Sequence, residues 1–155
     1  MALDILEAIA ASGPAEWLRL SRWGYAAVLT GHVLGIALLV GSIAALDLRL
    51  LGAWASVPHH ALGRVLVPVA ATGLGLALAT GAALFSARAP EYGAMPILWV
   101  KLGLVSLGVA QAAALHLGPG LFRAGRARLR LAGAVSLISW TGALVAGRMI
   151  AFLGD

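Results

Sequence analysis

The chain alternates between long apolar runs and short polar connections. Each apolar run reaches about 20 residues, the length at which a helix crosses the hydrocarbon core of a bilayer. Nearly all of the charged side chains lie between these runs or before the first one. The pattern therefore predicts an all-α integral membrane four-helix bundle, with transmembrane helices at residues 24–46, 65–87, 94–117 and 131–153.

The first 22 residues have a different pattern. In "ALDILEAIAASGPAEWLRLSRW", acidic and basic side chains are set among Leu, Ile and Trp. Such a mixture is typical of an amphipathic helix that lies in the membrane interface. Pro14 is expected to break this segment into two pieces, because proline is excluded from the interior of a helix. We therefore expect an N-terminal interfacial amphipathic helix over residues 1–22, ahead of the bundle, within a single membrane domain over residues 1–155.

Composition narrows the class of protein further. Of the 155 residues, 61% are hydrophobic and 11% are charged, and the mean hydropathy is +0.96. A soluble domain of this composition could not cover its surface with polar groups, so the lipid bilayer is the expected partner. The absence of cysteine excludes disulfides, thiolate metal sites and iron–sulfur clusters.

The net charge of +5 comes mainly from arginines at the ends of the apolar runs, which indicates membrane orientation rather than binding of nucleic acid. The loop after the third span is the most basic, with Arg123, Arg126, Arg128 and Arg130. Asp47 and Arg49, which end the first span, are expected to pair with each other or with this arginine-rich loop. The positive-inside rule then places the first and third loops in the cytoplasm. It predicts a multi-pass protein of a bacterial inner membrane with both termini in the periplasm, although Arg19 and Arg22 point mildly the other way.

Three ionisable side chains lie within the predicted spans at similar depths. A rise of about 1.5 Å per residue places His32, Lys101 and Arg148 in the periplasmic leaflet. Ionisable groups inside a membrane are costly and usually have a partner and a function. Because no Asp or Glu lies at this depth, the two cations favour an anionic ligand, such as the propionates of a haem or the oxygen of a quinone. The alternatives are that Lys101 and Arg148 extend to the interface and that His32 hydrogen-bonds a neighbouring helix.

A second group of imidazoles is expected at the other leaflet. His59 and His60 open the second span, and His116 closes the third. His60 and His116 can share a depth and bind a metal, since imidazole suits iron, copper and zinc. The alternative is a set of interfacial histidines near a charged surface. Inside the fourth span, Trp140 either stacks on a ligand ring or packs between helices.

Small residues recur every four positions in the first two spans, in Ala27, Gly31 and Gly35 and in Gly73, Ala77 and Gly81. Such seams allow helices to approach closely in lipid. The same seams leave room for a flat ligand beside the backbone. They also make self-association or membership of a larger membrane complex plausible.

Three stretches resemble an uncharacterised family of small bacterial inner-membrane proteins: "EWLRLSRWGYAAVLTGHVLGIALLVGSIAALDLRLLG", "TGAALFSARAPEYGAMPILWVKLGL" and "SLISWTGALVAGRMIAF". The His of the first span and the "WVK" that opens the third are distantly similar to HemJ-type protoporphyrinogen oxidases. The four-helix layout is similar to the membrane domain of CopD-type copper-resistance proteins. The HemJ similarity implies haem b in the membrane, His32 as its axial ligand, and Lys101 as a partner or a catalytic group.

The sequence thus favours a protein that binds haem b through His32, with Lys101 and Arg148 holding the propionates, and that exchanges electrons with quinone or a redox partner. If it is an enzyme, it is a haem-dependent membrane oxidoreductase. Two other classes stay open. One is a non-enzymatic accessory subunit of a membrane complex. The other is a copper-handling protein that uses His59, His60 and His116, with Met149 or Met95 as a further ligand.

Overall fold

The computed structural model of the protein describes residues 1–117 and 124–153. Within these ranges the chain forms seven helices and no strand. Three are short and four are long. In chain order they are α1 (Ala2–Ala10), α2 (Gly13–Leu20), α3 (Arg22–Leu51), α4 (His59–Ala87), α5 (Ala89–Gly93), α6 (Pro96–Leu117) and α7 (Arg126–Leu153).

The four long helices α3, α4, α6 and α7 are each long and apolar enough to cross a membrane. The predicted all-α four-helix fold is confirmed. The helices α3, α4 and α7 extend past the predicted spans by several residues, since helical hydrogen bonding continues where the chain leaves the hydrocarbon. Thirty residues in α3 correspond to about 45 Å, well beyond the roughly 30 Å of the hydrocarbon core.

The pattern of buried and exposed residues in this bundle is the reverse of that in a soluble protein. Large apolar side chains on all four long helices are exposed, among them Val33, Val65, Trp99 and Ile138. Much of the buried set is small, such as Ala70, Ala77, Ala143 and Ala146. Apolar surface on this scale is stable in contact with lipid and not with water. The chain is therefore a multi-pass membrane protein.

The bundle is built from two helix pairs. α3 packs along α4, α6 packs along α7, and a contact between α3 and α7 joins the pairs. The α3–α4 contact is close because Gly35 and Gly73 face each other: a Cβ added to Gly73 would lie 2.7 Å from the Gly35 carbonyl oxygen and 2.6 Å from the Leu39 nitrogen. The small-residue seam of the first two spans therefore serves helix packing at this point.

The N-terminal segment closes one end of the bundle. It is helical and interrupted at Ala11 and Ser12, just before Pro14, as the sequence predicts. α1 packs on α5, and α2 packs on α4. Arg19 fixes this arrangement, because one of its guanidinium nitrogens donates to the carbonyls of Ala10 (2.6 Å) and Ala87 (3.1 Å). A cation at two helix C-termini is electrostatically favourable.

Candidate functional site

Two cavities lie between the four long helices and meet at a shared wall made by Leu39, Leu74 and Trp140. The first, which we call the His32 cavity, has a volume of about 330 Å³ and contains His32 and Lys101. The second, which we call the Asp47 cavity, has a volume of about 300 Å³. The His32 cavity lies toward the end that α1, α2 and α5 cover. The Asp47 cavity lies toward the opposite end of the bundle.

His32 is half-buried, and its partner decides which ring nitrogen carries the hydrogen. Nδ1 lies 3.1 Å from the Thr80 hydroxyl oxygen. That hydroxyl donates its own hydrogen to the Leu76 carbonyl, at 2.5 Å, so the hydrogen between the two side chains belongs to Nδ1. In a neutral imidazole the other nitrogen, Nε2, is then an acceptor. A histidine oriented by its Nδ1–H in this way is the usual form of a metal ligand.

Gly81 provides the room for the His32 ring. A Cβ added at Gly81 would lie 2.9 Å from Cε1 of the ring. The third small residue of the α4 seam therefore has a different task from Gly73. It admits an imidazole between α3 and α4 instead of bringing the two backbones together.

Lys101 enters the same cavity from α6, across from His32. Its Nζ packs beside Gly147 of α7, where an added Cβ would lie 3.3 Å away. His32 on α3 and Lys101 on α6 line this one cavity. The remaining walls are almost entirely apolar, formed by side chains such as Ile36, Phe85 and Val105. The structure therefore brings together the histidine and the lysine that the sequence singles out.

Arg148 lies outside the His32 cavity. It follows Gly147 directly and so shares the level of the Lys101 amine, but its side chain is exposed and is not part of the cavity wall. Among the described residues, Lys101 is thus the cationic side chain that lines this cavity. Arg148 can meet a ligand only where that ligand emerges at the surface.

Trp140 separates the two cavities and is 4% exposed. Its indole packs on α6, where a Cβ added to Gly108 would lie 2.7 Å from Cε2 of the ring. This position gives Trp140 the packing role between α6 and α7, and it also makes the indole part of the wall of both cavities. Its Nε1 is buried and has no hydrogen-bond partner in the described part of the chain.

Asp47, which the sequence pattern assigns to the end of the first span, is a buried polar residue that lines the Asp47 cavity between the helices. An ion pair with Arg49 or with the arginine-rich loop was the expectation. Instead, Arg49 donates to the carbonyls of Val57 and Ala55. The Asp47 side chain is 4% exposed, and Ser136 is its hydrogen-bonding neighbour. Its Oδ2 has no partner among the described residues.

The sequence also predicts a second metal site, with His60 and His116 as ligands. His60 is exposed at the start of α4, and its ring stands edge-on to that of His59, with the ring centroids 5.9 Å apart. The side chain of His116 lies outside the described part of the chain, as does Arg123. In that described part, no group of three or more His, Asp or Glu side chains is arranged to hold a metal ion.

Comparison of the chain with protein-family models, with curated proteins and with solved structures gives no match. The His32 cavity combines an imidazole acceptor of fixed orientation, one cation and apolar walls at membrane depth. Such a set can ligate a metal held in a flat apolar molecule, or hydrogen-bond a polar group of an otherwise apolar one.

Proposed function

We propose that this protein binds haem b in the His32 cavity, where Nε2 of His32 would hold the iron, and that it exchanges electrons with quinone or with a protein redox partner. The observation that carries the proposal is the Thr80–His32 hydrogen bond. It leaves Nε2 as the nitrogen available for iron, inside a cavity whose walls are otherwise apolar. The same pair of residues, His32 and Lys101, is what the resemblance to HemJ-type oxidases implies.

The residues of the cavity fit such a group. Apolar side chains from four helices suit the faces of a porphyrin. The volume of about 330 Å³ is at the lower end of the range for small-molecule sites, about 300–1,000 Å³. A porphyrin ring would fill this cavity and extend beyond it, so one edge of the ring would contact lipid. Lys101 supplies a positive charge for one propionate, and Arg148 lies near the level of the Lys101 amine for a second propionate at the surface.

Bound haem supplies one-electron chemistry, and the chain sets the conditions for it. Thr80 holds the His32 ring in one orientation, as outer-shell partners of metal ligands do. The apolar walls keep water away from the site, and burial is one of the properties that tune a haem potential. Lys101 places a positive charge opposite His32. If the protein is an oxidoreductase, Lys101 is the residue we assign to contact with the quinone or other substrate.

The proposed location is a bacterial inner membrane with both termini in the periplasm. Arg49 in the last turn of α3 and Arg64 near the start of α4 flank one loop, and the start of α7 at the same end contains Arg126, Arg128 and Arg130. At the other end, Arg88, between α4 and α5, is paired with Glu91 at 3.5 Å. Positive charge in short loops stays on the cytoplasmic side. The His32 cavity then opens in the periplasmic leaflet.

The other classes make different predictions for the purified protein. An accessory subunit would be colourless and would co-purify with a larger complex. A copper-handling protein would bind copper without haem, and this binding would depend on His60 or His116.

The test is the haem content of three proteins purified from cells supplied with haem: wild type, His32→Ala and His60→Ala. We expect about one haem per chain in the wild type, measured as the pyridine haemochrome. His32→Ala should lose it, because the imidazole that would hold the iron is gone. His60→Ala is the matched control, since it removes an imidazole outside the cavity and should keep its haem. Stoichiometric haem in His32→Ala with a folded protein would contradict the assignment.

A further inference from the structure

A third cavity lies at the opposite end of the bundle from α1 and α2, and it is basic. The last turn of α3, the start of α4 and the start of α7 enclose about 310 Å³. We call it the arginine cavity, because Arg49, Arg126 and Arg130 line it together with His59. No acidic side chain of the described residues contributes to its wall. It is separate from the His32 cavity and independent of the function proposed there.

The charges around this cavity repel one another. Arg126 and Arg130 are four residues apart on α7, so their side chains lie on the same face, where like charges destabilise a helix. Both are in the first turns of α7, where the helix dipole disfavours a cation. No acidic residue occupies the first turn of α7 or of α4 to offset this. An anion in the cavity would relieve both the repulsion and the unfavourable dipole.

Backbone donors at the same place favour an anion too. The first amide groups of a helix have no partner within it and commonly bind phosphate or other anions. α4 begins after Pro58, which makes no side-chain cap, and α7 begins after Gly125, which has no side chain to offer. Two long helices therefore start at this cavity without a side-chain N-cap. Arg49 is already held in place by the carbonyls of Ala55 and Val57, so part of its guanidinium is a pre-oriented wall of the cavity.

We propose that the arginine cavity binds a phosphate-bearing anion of net negative charge. Guanidinium groups recognise phosphate oxygens in pairs, and basic pockets between transmembrane helices commonly bind anionic lipid headgroups. A zwitterionic headgroup fits less well, because the described wall has no carboxylate to meet its ammonium group. The two sources of this chemistry at a membrane surface are an anionic phospholipid and free phosphate.

The test measures binding to the full chain in detergent by native mass spectrometry. The probes are phosphatidylglycerol, phosphatidylcholine with the same acyl chains, and inorganic phosphate. We expect phosphatidylglycerol to bind at least about tenfold more tightly than phosphatidylcholine, since one charge-assisted hydrogen bond corresponds to a factor of this size. Displacement of phosphatidylglycerol by inorganic phosphate would identify free phosphate as the anion that binds this cavity. Retention of phosphatidylglycerol against excess phosphate would identify the lipid.

Matched variants separate the cavity from general surface charge. Arg126→Gln and Arg130→Gln each remove a guanidinium that lines the cavity. Each should weaken the binding of the preferred probe by about tenfold. Arg128→Gln removes the same charge from the same helix, but Arg128 is exposed and does not line the cavity, so it should bind like the wild type. Equal weakening by Arg128→Gln and Arg130→Gln would overturn the proposal, as would equal binding of the two lipids with no effect of phosphate.

Discussion

At the scale of single residues, His32 shows what a sequence pattern can and cannot establish. An imidazole inside an apolar run is rare enough to be identified as a candidate ligand from the sequence. The availability of its Nε2 was not predictable, because it depends on Thr80 from another helix, 48 positions away. The hydroxyl of Thr80 in turn is oriented by its bond to Leu76. The tautomer therefore follows from tertiary contact and not from neighbours in sequence.

The role of Thr80 can be tested by its replacement with valine, which has nearly the same shape. Thr80→Val removes the acceptor of the Nδ1–H and should weaken haem binding by about 10- to 100-fold, the range seen for outer-shell partners of metal ligands. The measurement is haem release to apomyoglobin from the purified protein. Thr72→Val is the control, because Thr72 makes the same kind of bond, to Pro68, outside the cavity. Equal haem release from both variants would contradict the role of Thr80.

Asp47 is the residue that sequence reasoning misplaced. Its neighbour Arg49 and its place near the end of an apolar run suggested an ion pair with Arg49 or with the arginine-rich loop. The helical period contained a better signal: Asp47 is four residues after Ile43 and three before Leu50, and Leu50 belongs to the buried cluster with Leu46 and Leu115. Residues at these spacings share a helix face. The buried face therefore includes a carboxyl group, which Ser136 meets from α7.

At the scale of elements, the four spans were predictable because their length and apolar character are fixed by the bilayer. The ends of these helices were harder to predict from the sequence, since α3, α4 and α7 continue past the hydrocarbon boundary. The short helix α5 lies in a segment where the sequence predicted a loop. The pairing of the long helices rests on small residues. Two small residues of the α4 seam have different roles. Gly73 lets α4 pack closely against α3, and Gly81 leaves space for the His32 ring. Spacing alone does not separate these two uses.

The packing of α3 on α4 is tested by two glycines on the same helix. A Cβ at Gly73 would clash with the backbone of α3, whereas a Cβ at Gly75 would meet nothing within 4 Å. Gly73→Ala should lower the melting temperature in detergent, because the helices must separate. Gly75→Ala should leave it unchanged or raise it, since alanine favours a helix by about 1 kcal/mol over glycine. A stable Gly73→Ala protein would show that the contact is less close than described.

At the scale of the whole molecule, the polar groups divide between the two ends. The N-terminal helices cover the end near His32 and Lys101, and three arginines surround a cavity at the end near Asp47. The overall fold class followed from composition and the length of the apolar runs. The placement of Arg148 outside the His32 cavity did not, because depth along a helix gives no information on the direction in which a side chain points.

Orientation in the membrane can be tested because the native chain has no cysteine. Single cysteines at Ser56, between α3 and α4, and at Ala94, between α5 and α6, provide one reporter for each side. We expect a membrane-impermeant maleimide added to intact spheroplasts to label Ala94→Cys and to label Ser56→Cys only after lysis. The reverse pattern would place the arginine-rich end in the periplasm and contradict the proposed orientation.

Binding of haem iron by His32 is tested most directly by an optical measurement. It is the dithionite-reduced minus air-oxidised visible spectrum of the full chain, purified in detergent from cells with ample haem. We expect a sharp α-band of a b-type haem in the wild type. A flat spectrum from a folded protein expressed with ample haem would contradict the claim and leave the accessory subunit or the copper-handling protein as the remaining alternatives.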